Sequence, residues 1–89
     1  MQAHPTNSPI GMIADYEQNG KNYHKSFIAL DANDETGAVR SVYAALHRRD
    51  YRVVAVSIYP GVRSITELDA IADGIKRPPV APIIHAFSE

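Results

Sequence analysis

The segment 26–59 changes its hydrophobic period twice, and this pattern limits the folds open to the chain. Residues 26–31 form a short apolar run, which is typical of a β-strand. Four residues that stop strands and cap helices close this run, namely Asp31, Asn33, Asp34 and Glu35. Because such side chains accept hydrogen bonds from the free N–H groups of a first helical turn, a helix is predicted to begin there.

The helix is predicted from a stripe of apolar residues. Val39, Val42, Tyr43 and Leu46 are spaced i, i+3, i+4 and i+7, so they share one face of a 3.6-residue period. Acidic residues precede this stripe and the basic run 47–49 follows it. Both charge positions complement the helix dipole. The helix should therefore end near residue 49.

A second strand is predicted over residues 51–59, which are rich in β-branched and aromatic side chains. Strict alternation places Val54, Val56 and Ile58 on one side. The other side then holds Tyr51, Val53, Ala55, Ser57 and Tyr59. A strand that is apolar on both sides is typical of the middle of a sheet. We expect it to run parallel to the first strand after a right-handed crossover.

A hairpin is predicted at Asn19-Gly20, since both residues tolerate the positive φ angles of a two-residue turn. With these two as the loop, Tyr16 should lie opposite Tyr23. The same register pairs Asp15 with His24 and Met12 with Phe27. The turn thus fixes which side chains of the two strands share a face.

A second helix and a short final strand are predicted in the last third of the chain. The spacing of Ser64 and Glu67 is that of a capping box, in which each side chain bonds a backbone N–H of the first turn. Apolar residues then follow at helical spacing, namely Leu68, Ile71, Ala72 and Ile75. Gly74 should end this helix, and Pro82 restricts any later strand to a sheet edge.

These elements predict an α+β fold with the order ββαβα(β). We expect one mixed sheet that begins with a hairpin, and two helices packed on one face, since two right-handed crossovers leave both helices on the same side. Residues 1–9 are polar and are predicted to be a disordered tail. Residues 10–89 are predicted to be a single α+β domain.

Composition excludes several classes of protein. The chain of 89 residues contains no Cys, so it has neither a disulfide framework nor a thiolate zinc site. Its formal net charge of -1 gives no overall attraction to nucleic acid or anionic membranes. Since residues 1–11 lack the apolar run of a secretory signal, a cytoplasmic protein is expected.

An apolar sheet face left without a helix would need a covering. If both helices cover the aliphatic side of the strands, the aromatic side is open, and this predicts a small non-catalytic binding or regulatory protein. Its contacts, including possible homodimerisation, would use this face or a strand edge. The predicted partner-binding residues are Met12, Tyr16, Tyr23, Phe27, Tyr51 and Tyr59. The opposing interpretation reverses the two faces, or covers this face with the C-terminal segment, and makes these residues core.

Two further functions are open at this stage. Sheet tyrosines could stack on single-stranded nucleic acid, with phosphate contacts from Arg40, Arg48, Arg49 and Arg52. The near-neutral charge disfavours this alternative. A small metal-dependent enzyme would use the acids near Asp31, with His24 close by, but helix capping explains those acids without a metal. We therefore predict no catalytic residue, cofactor or metal.

Overall fold

The computed structural model describes residues 9–30 and 34–87 of the chain. Four strands and two helices follow one another in the order ββαβαβ. Their bounds are β1 Ile10–Gln18, β2 Lys21–Ala29, α1 Glu35–His47, β3 Arg52–Ile58, α2 Ile65–Ala72 and β4 Ile83–Ala86. This confirms the α+β class and the predicted order of elements. The predicted tail, residues 1–9, lies outside the described residues except for Pro9.

The β1–β2 hairpin has the predicted turn and the predicted register. Asn19 and Gly20 adopt positive φ angles of 54° and 78°, as a two-residue turn between twisted strands requires. Tyr16 lies opposite Tyr23, Asp15 opposite His24, and Met12 opposite Phe27. The sequence pattern therefore gave the correct face for each side chain of these two strands.

The sheet has the strand order β2-β1-β3-β4, and every neighbouring pair is antiparallel. The predicted mixed sheet is therefore wrong. Because β2 and β3 are both antiparallel to β1, they do run in the same direction, but β1 lies between them. The prediction placed them side by side because nothing in the local pattern indicates which strand occupies the centre.

Helix α1 begins and packs as its stripe predicts. The Asp34 carboxylate accepts a hydrogen bond of 2.6 Å from the backbone N–H of Gly37, which satisfies one free donor of the first turn. The side chains of α1 that face the sheet are buried, namely Ala38, Val39, Val42 and Leu46. They cover the side of β1 and β3 that carries Met12 and Val56. This side is called the α1 face below.

A β-bulge in β3 overturns the alternation predicted for that strand. Asp15 pairs with Ala55, but the next residue, Tyr16, pairs with Val53, so Val54 is an extra residue. An extra residue on one strand shifts the side-chain pattern by one position. Val53 consequently lies in the same buried cluster as Val56 and Ile58, whereas strict alternation had placed it on the opposite side.

The two helices pack on opposite faces of the sheet, so the prediction that both share one face is wrong. Leu68 of α2 is buried against Ile13 of β1 and Val62, whereas Met12 lies beneath α1. The crossover rule that suggested one face applies to parallel strands. Here α2 connects β3 to its antiparallel neighbour β4, so that rule does not constrain it. The side of the sheet covered by α2 is called the α2 face.

Helix α2 has half of the predicted capping box. The Ser64 hydroxyl accepts a hydrogen bond of 3.3 Å from the N–H of Glu67. The Glu67 carboxylate instead accepts one of 2.8 Å from the ammonium group of Lys76. Gly74, with φ of 78°, follows the helix as predicted, and Ile75 beyond it is 79% exposed rather than packed.

Each helix covers about half of its face, because α1 lies mainly over β3 and α2 over β2 and β1. The uncovered parts are the α1 face of β2 and the α2 face of β3 and β4. Within residues 9–30 and 34–87, no helix has both the length and the apolar composition needed to cross a membrane.

Candidate interaction site

Three of the predicted partner-binding tyrosines form a row of stacked rings on the α1 face. The ring centroids of Tyr51 and Tyr16 are 4.8 Å apart, and those of Tyr16 and Tyr23 are 5.8 Å apart. Tyr16 and Tyr51 pack against the buried cluster beneath α1. Only Tyr23, at the end of the row, is 42% exposed. These aromatic faces are thus largely occupied by one another.

The remaining predicted partner-binding residues are not brought together on an open surface. Met12 is 0% exposed, so its side chain cannot touch a partner, and the prediction for this residue is wrong. Phe27 packs partly buried against the same cluster, with the Lys25 ammonium 5.8 Å from its ring centre. Tyr59 packs against Ile13 on the α2 face. The open aromatic face is therefore replaced by a covered one.

The predicted phosphate-contacting arginines are distributed over α1, the residues that follow it and β3. Arg48 and Arg49 are exposed just after α1 ends. Arg40 lies within α1, eight positions before Arg48, which corresponds to about 12 Å along the helix axis. The Arg52 guanidinium forms an ion pair with Glu17, with a nitrogen-to-oxygen distance of 3.1 Å. The Glu17 carboxylate therefore offsets the charge of Arg52.

Those acidic residues near the first helix that the structure describes do not assemble a metal site. Asp31 and Asn33 lie outside the described residues, and Asp34 is used as the α1 cap. In the part of the chain that the structure describes, no group of three His, Cys, Asp or Glu residues is placed to hold a metal ion. His24 stands exposed on β2, opposite Asp15.

A shallow depression of about 320 Å³ surrounds this Asp15–His24 pair. Its lining also includes Asn22, Val54 and the two tyrosines of the adjoining hairpin strands, Tyr16 and Tyr23.

Partial burial, and secondarily the negative charge of Asp15, raise the pKa of the Tyr59 phenol above its usual value.

An apolar groove of about 190 Å³ lies between α1 and the uncovered part of β2. Phe27 and Ala29 form its sheet side, and Ala38, Ser41 and Ala45 form its helix side. The groove exists because α1 lies over β3 and β1 rather than over β2. Small side chains form half of its lining, and polar groups that could orient a ligand are few.

The outward side of β4, called the C-terminal edge below, is the most exposed apolar part of the sheet. Ile84 is 62% exposed and Ile83 is 42% exposed. Val80, just before the strand, is also an exposed apolar residue. Fixed charges are missing between residues 78 and 87. An edge with these properties is a template for pairing with another strand.

The backbone of β4 has a defined inward and outward side. The N–H of Phe87 donates to the carbonyl of Val54 with a distance of 2.9 Å, so residue 87 points towards β3. Backbone groups in an antiparallel strand alternate between its two neighbours. Accordingly, residues 83 and 85 also point inward, and the N–H and C=O groups of Ile84 and Ala86 point out from the sheet.

The opposite edge of the sheet is protected against such pairing. Strand β2 carries exposed Lys21 and Lys25 together with Asn22 and His24. Lysines on an edge strand oppose pairing with another chain, because a docking strand would have to desolvate their charges. The two edges thus differ in chemistry, and only the C-terminal edge is apolar and uncharged.

The sequence predicted an edge strand here but did not single out its residues as a site. The available signal was the uncharged apolar pair Ile83–Ile84 directly after Pro82, since proline marks an edge. Comparisons of the chain with protein family models, with curated proteins and with solved structures found no match.

Proposed function

We propose that this protein is a small binding protein that acts through protein–protein contacts at the C-terminal edge of its sheet. The observation that carries the proposal is the combination on β4 of an exposed apolar pair and outward backbone groups that have no partner strand among residues 9–30 and 34–87. A partner would add an extended segment beside β4 and continue the sheet. Backbone hydrogen bonds would supply affinity, and the side chains beside them would supply selectivity.

The aromatic row contributes little to this binding surface. Tyr16 and Tyr51 stack on each other, and only Tyr23 offers a large exposed area. Of the two contact surfaces predicted from the sequence, the aromatic sheet face and a strand edge, this proposal therefore takes the strand edge. Nucleic-acid stacking is not favoured, because Tyr16 lies between two rings and only Tyr23, at the end of the row, offers a large exposed area to a base.

Peptide display tests this function directly. Peptides would be selected on the wild-type protein, and their affinity would then be measured for two variants by fluorescence anisotropy. Ala86→Pro removes the outward N–H of residue 86 while leaving the inward bonds of residues 85 and 87 in place. Ala86→Ser keeps that N–H and is the matched control.

Peptides that bind the C-terminal edge should lose at least about tenfold in affinity for Ala86→Pro, since each lost backbone bond leaves a buried carbonyl unpaired. Affinity for Ala86→Ser should stay within about twofold of wild type. Selected peptides that bind both variants equally would show that the edge is not the binding surface. Circular dichroism confirms that each variant keeps its sheet.

A further inference from the structure

We infer that the strand that fits the C-terminal edge is β4 of a second copy of this chain, in antiparallel orientation, with His85 opposite the same residue of its partner. This inference rests on the proposed function, because it names the partner for the same edge. It would join two copies of the four-stranded sheet into one continuous sheet. The arrangement follows from the register of the outward groups.

Centring the pair on His85 satisfies every outward group of the strand. Ile84 then lies opposite Ala86 of the second copy, and Ala86 lies opposite Ile84. Residues that face each other with outward groups exchange both of their N–H···O bonds. The two-fold symmetry repeats each bond, as in other pairings of identical surfaces.

A register centred on Ile84 is less favourable. It would place Ala86 opposite Pro82 of the second copy, and proline has no N–H to donate. The carbonyl of Ala86 would then lack a partner in each copy. An unmade bond at a buried position costs about 1–3 kcal/mol, so the chain's own Pro82 selects the register centred on His85.

Side chains also match in this register. On one face, the large Ile84 meets the small Ala86 of the second copy, which avoids crowding two isoleucines. Apolar residues facing one another across antiparallel strands stabilise the pair. Self-pairing thus uses the same contact twice.

Charge does not oppose the pairing of two copies. Residues 78–87 contain no Asp, Glu, Lys or Arg, and the formal net charge of the whole chain is -1. A protein with near-zero net charge experiences little long-range repulsion from its own copies. The lysines of β2 also make the other edge unsuitable, which excludes open-ended stacking of sheets and limits the assembly to a closed dimer.

The expected affinity is modest. A standard interface buries about 800 Å² on each partner, about an eighth of the 6060 Å² surface of one protomer. Four residues of β4 provide less than this, so the contact belongs to the small class of interfaces. We expect a dissociation constant of about 10–100 µM.

Sedimentation equilibrium over a protein range of about 1 µM to 1 mM tests the dimer, with the range chosen to bracket that affinity. Wild type and Ala86→Ser should approach twice the protomer mass at the upper end. Ala86→Pro and Ile84→Lys should stay monomeric throughout. The first loses the backbone hydrogen bond that residue 86 donates across the dimer, and the second places a positive charge on β4 of each copy. Wild type that remains monomeric at 1 mM overturns the inference.

Cysteine cross-linking tests the register independently, since the chain has no Cys of its own. His85→Cys places two thiols opposite each other at about 4.5–5.5 Å between Cβ atoms. Under mild oxidation it should form a covalent dimer at least about tenfold faster than Ile84→Cys or Ala86→Cys, whose like residues are offset. Fastest cross-linking at residue 84 would overturn the proposed register.

The failure of this inference can be told apart from failure of the proposed function. If the wild type is monomeric but the selected peptides still bind Ala86→Pro more weakly, the edge is a binding surface for other partners and self-pairing is excluded. A dimer that survives both Ala86→Pro and Ile84→Lys uses another surface and also overturns the inference.

Discussion

Tyr51 stacks on Tyr16 because Val54 is an extra residue in β3. The ring centroids lie 4.8 Å apart with planes inclined by 13°. The bulge pairs Tyr16 with Val53, which places Val53 and, two residues before it, Tyr51 on the α1 face. A single extra residue therefore decides whether Tyr51, just before β3, packs with the core beneath α1.

Double-mutant cycles should detect this stacking. Tyr16→Leu and Tyr51→Leu, alone and together, should give a coupling of about 0.5–1.5 kcal/mol in the free energy of unfolding, as expected for a stacked aromatic pair. Urea titration provides the measurement. A cycle between Tyr51 and Tyr59, which pack in different clusters, is the control and should give a coupling near zero. Equal values for both cycles would contradict the stacking.

The faces of the hairpin could be predicted because the Asn19-Gly20 turn fixes their register locally. The start of α1 could also be predicted, since Asp34 caps the helix through residues close to it in sequence. The bulge could not be predicted, because Val54 resembles its neighbours and its displacement depends on pairing with β1. The side of the sheet that α2 covers was equally inaccessible, since it depends on the strand order.

The candidate site was also predictable only in part from the sequence. Pro82 correctly predicted an edge position for β4. The identity of the exposed side chains could not be predicted, because it required knowing that α1 packs on the same face of the sheet as the tyrosine row. Met12 illustrates the error, since alternation gave its face correctly but gave no information on which helix lies above it.

Gly11→Ala should destabilise the fold by about 1–3 kcal/mol through overpacking. A Cβ at this position would overlap the backbone carbonyl of Val62, and backbone cannot move aside as a flexible side chain can. Gly20→Ala is the comparison, because a Cβ there meets nothing within 4 Å but the φ of 78° is strained for alanine. It should cost about 1 kcal/mol. Thermal and urea unfolding measure both, and a smaller loss at Gly11 would contradict the close approach.

His85→Leu should stabilise the protomer by about 1 kcal/mol. The Nε2 atom of His85 is buried without a hydrogen-bond partner among the described residues, so an apolar side chain removes an unsatisfied group. His85→Gln, which keeps a polar end, is the control and should bring no gain. The free energy of unfolding should be measured on the Ala86→Pro background, where self-association does not contribute. A destabilised leucine variant would show that the imidazole has a partner.

Tyr59 should make the fold less stable at alkaline pH. Burial, and then the charge of Asp15, raise its pKa in the folded state, so the folded protein holds this proton more strongly than the unfolded chain does. That contribution is fully present below the unfolded value of about 10 and is lost as the pH rises through the folded pKa. Urea unfolding between about pH 8 and 11 should show Tyr59→Phe gaining stability relative to wild type only above about pH 10. If the stabilities of Tyr59→Phe and wild type changed in parallel with pH, the raised pKa of Tyr59 would be contradicted.

The central position of β1 has a consequence for synthesis of the chain. Met12 pairs on one side with Phe27, which is made shortly after it, and on the other with Ile58, which is made much later. During translation, one edge of β1 therefore has no partner strand until β3 has left the ribosome. Closure of the sheet is thus a late, long-range event, and folding speed should depend more on β3 docking than on the turn.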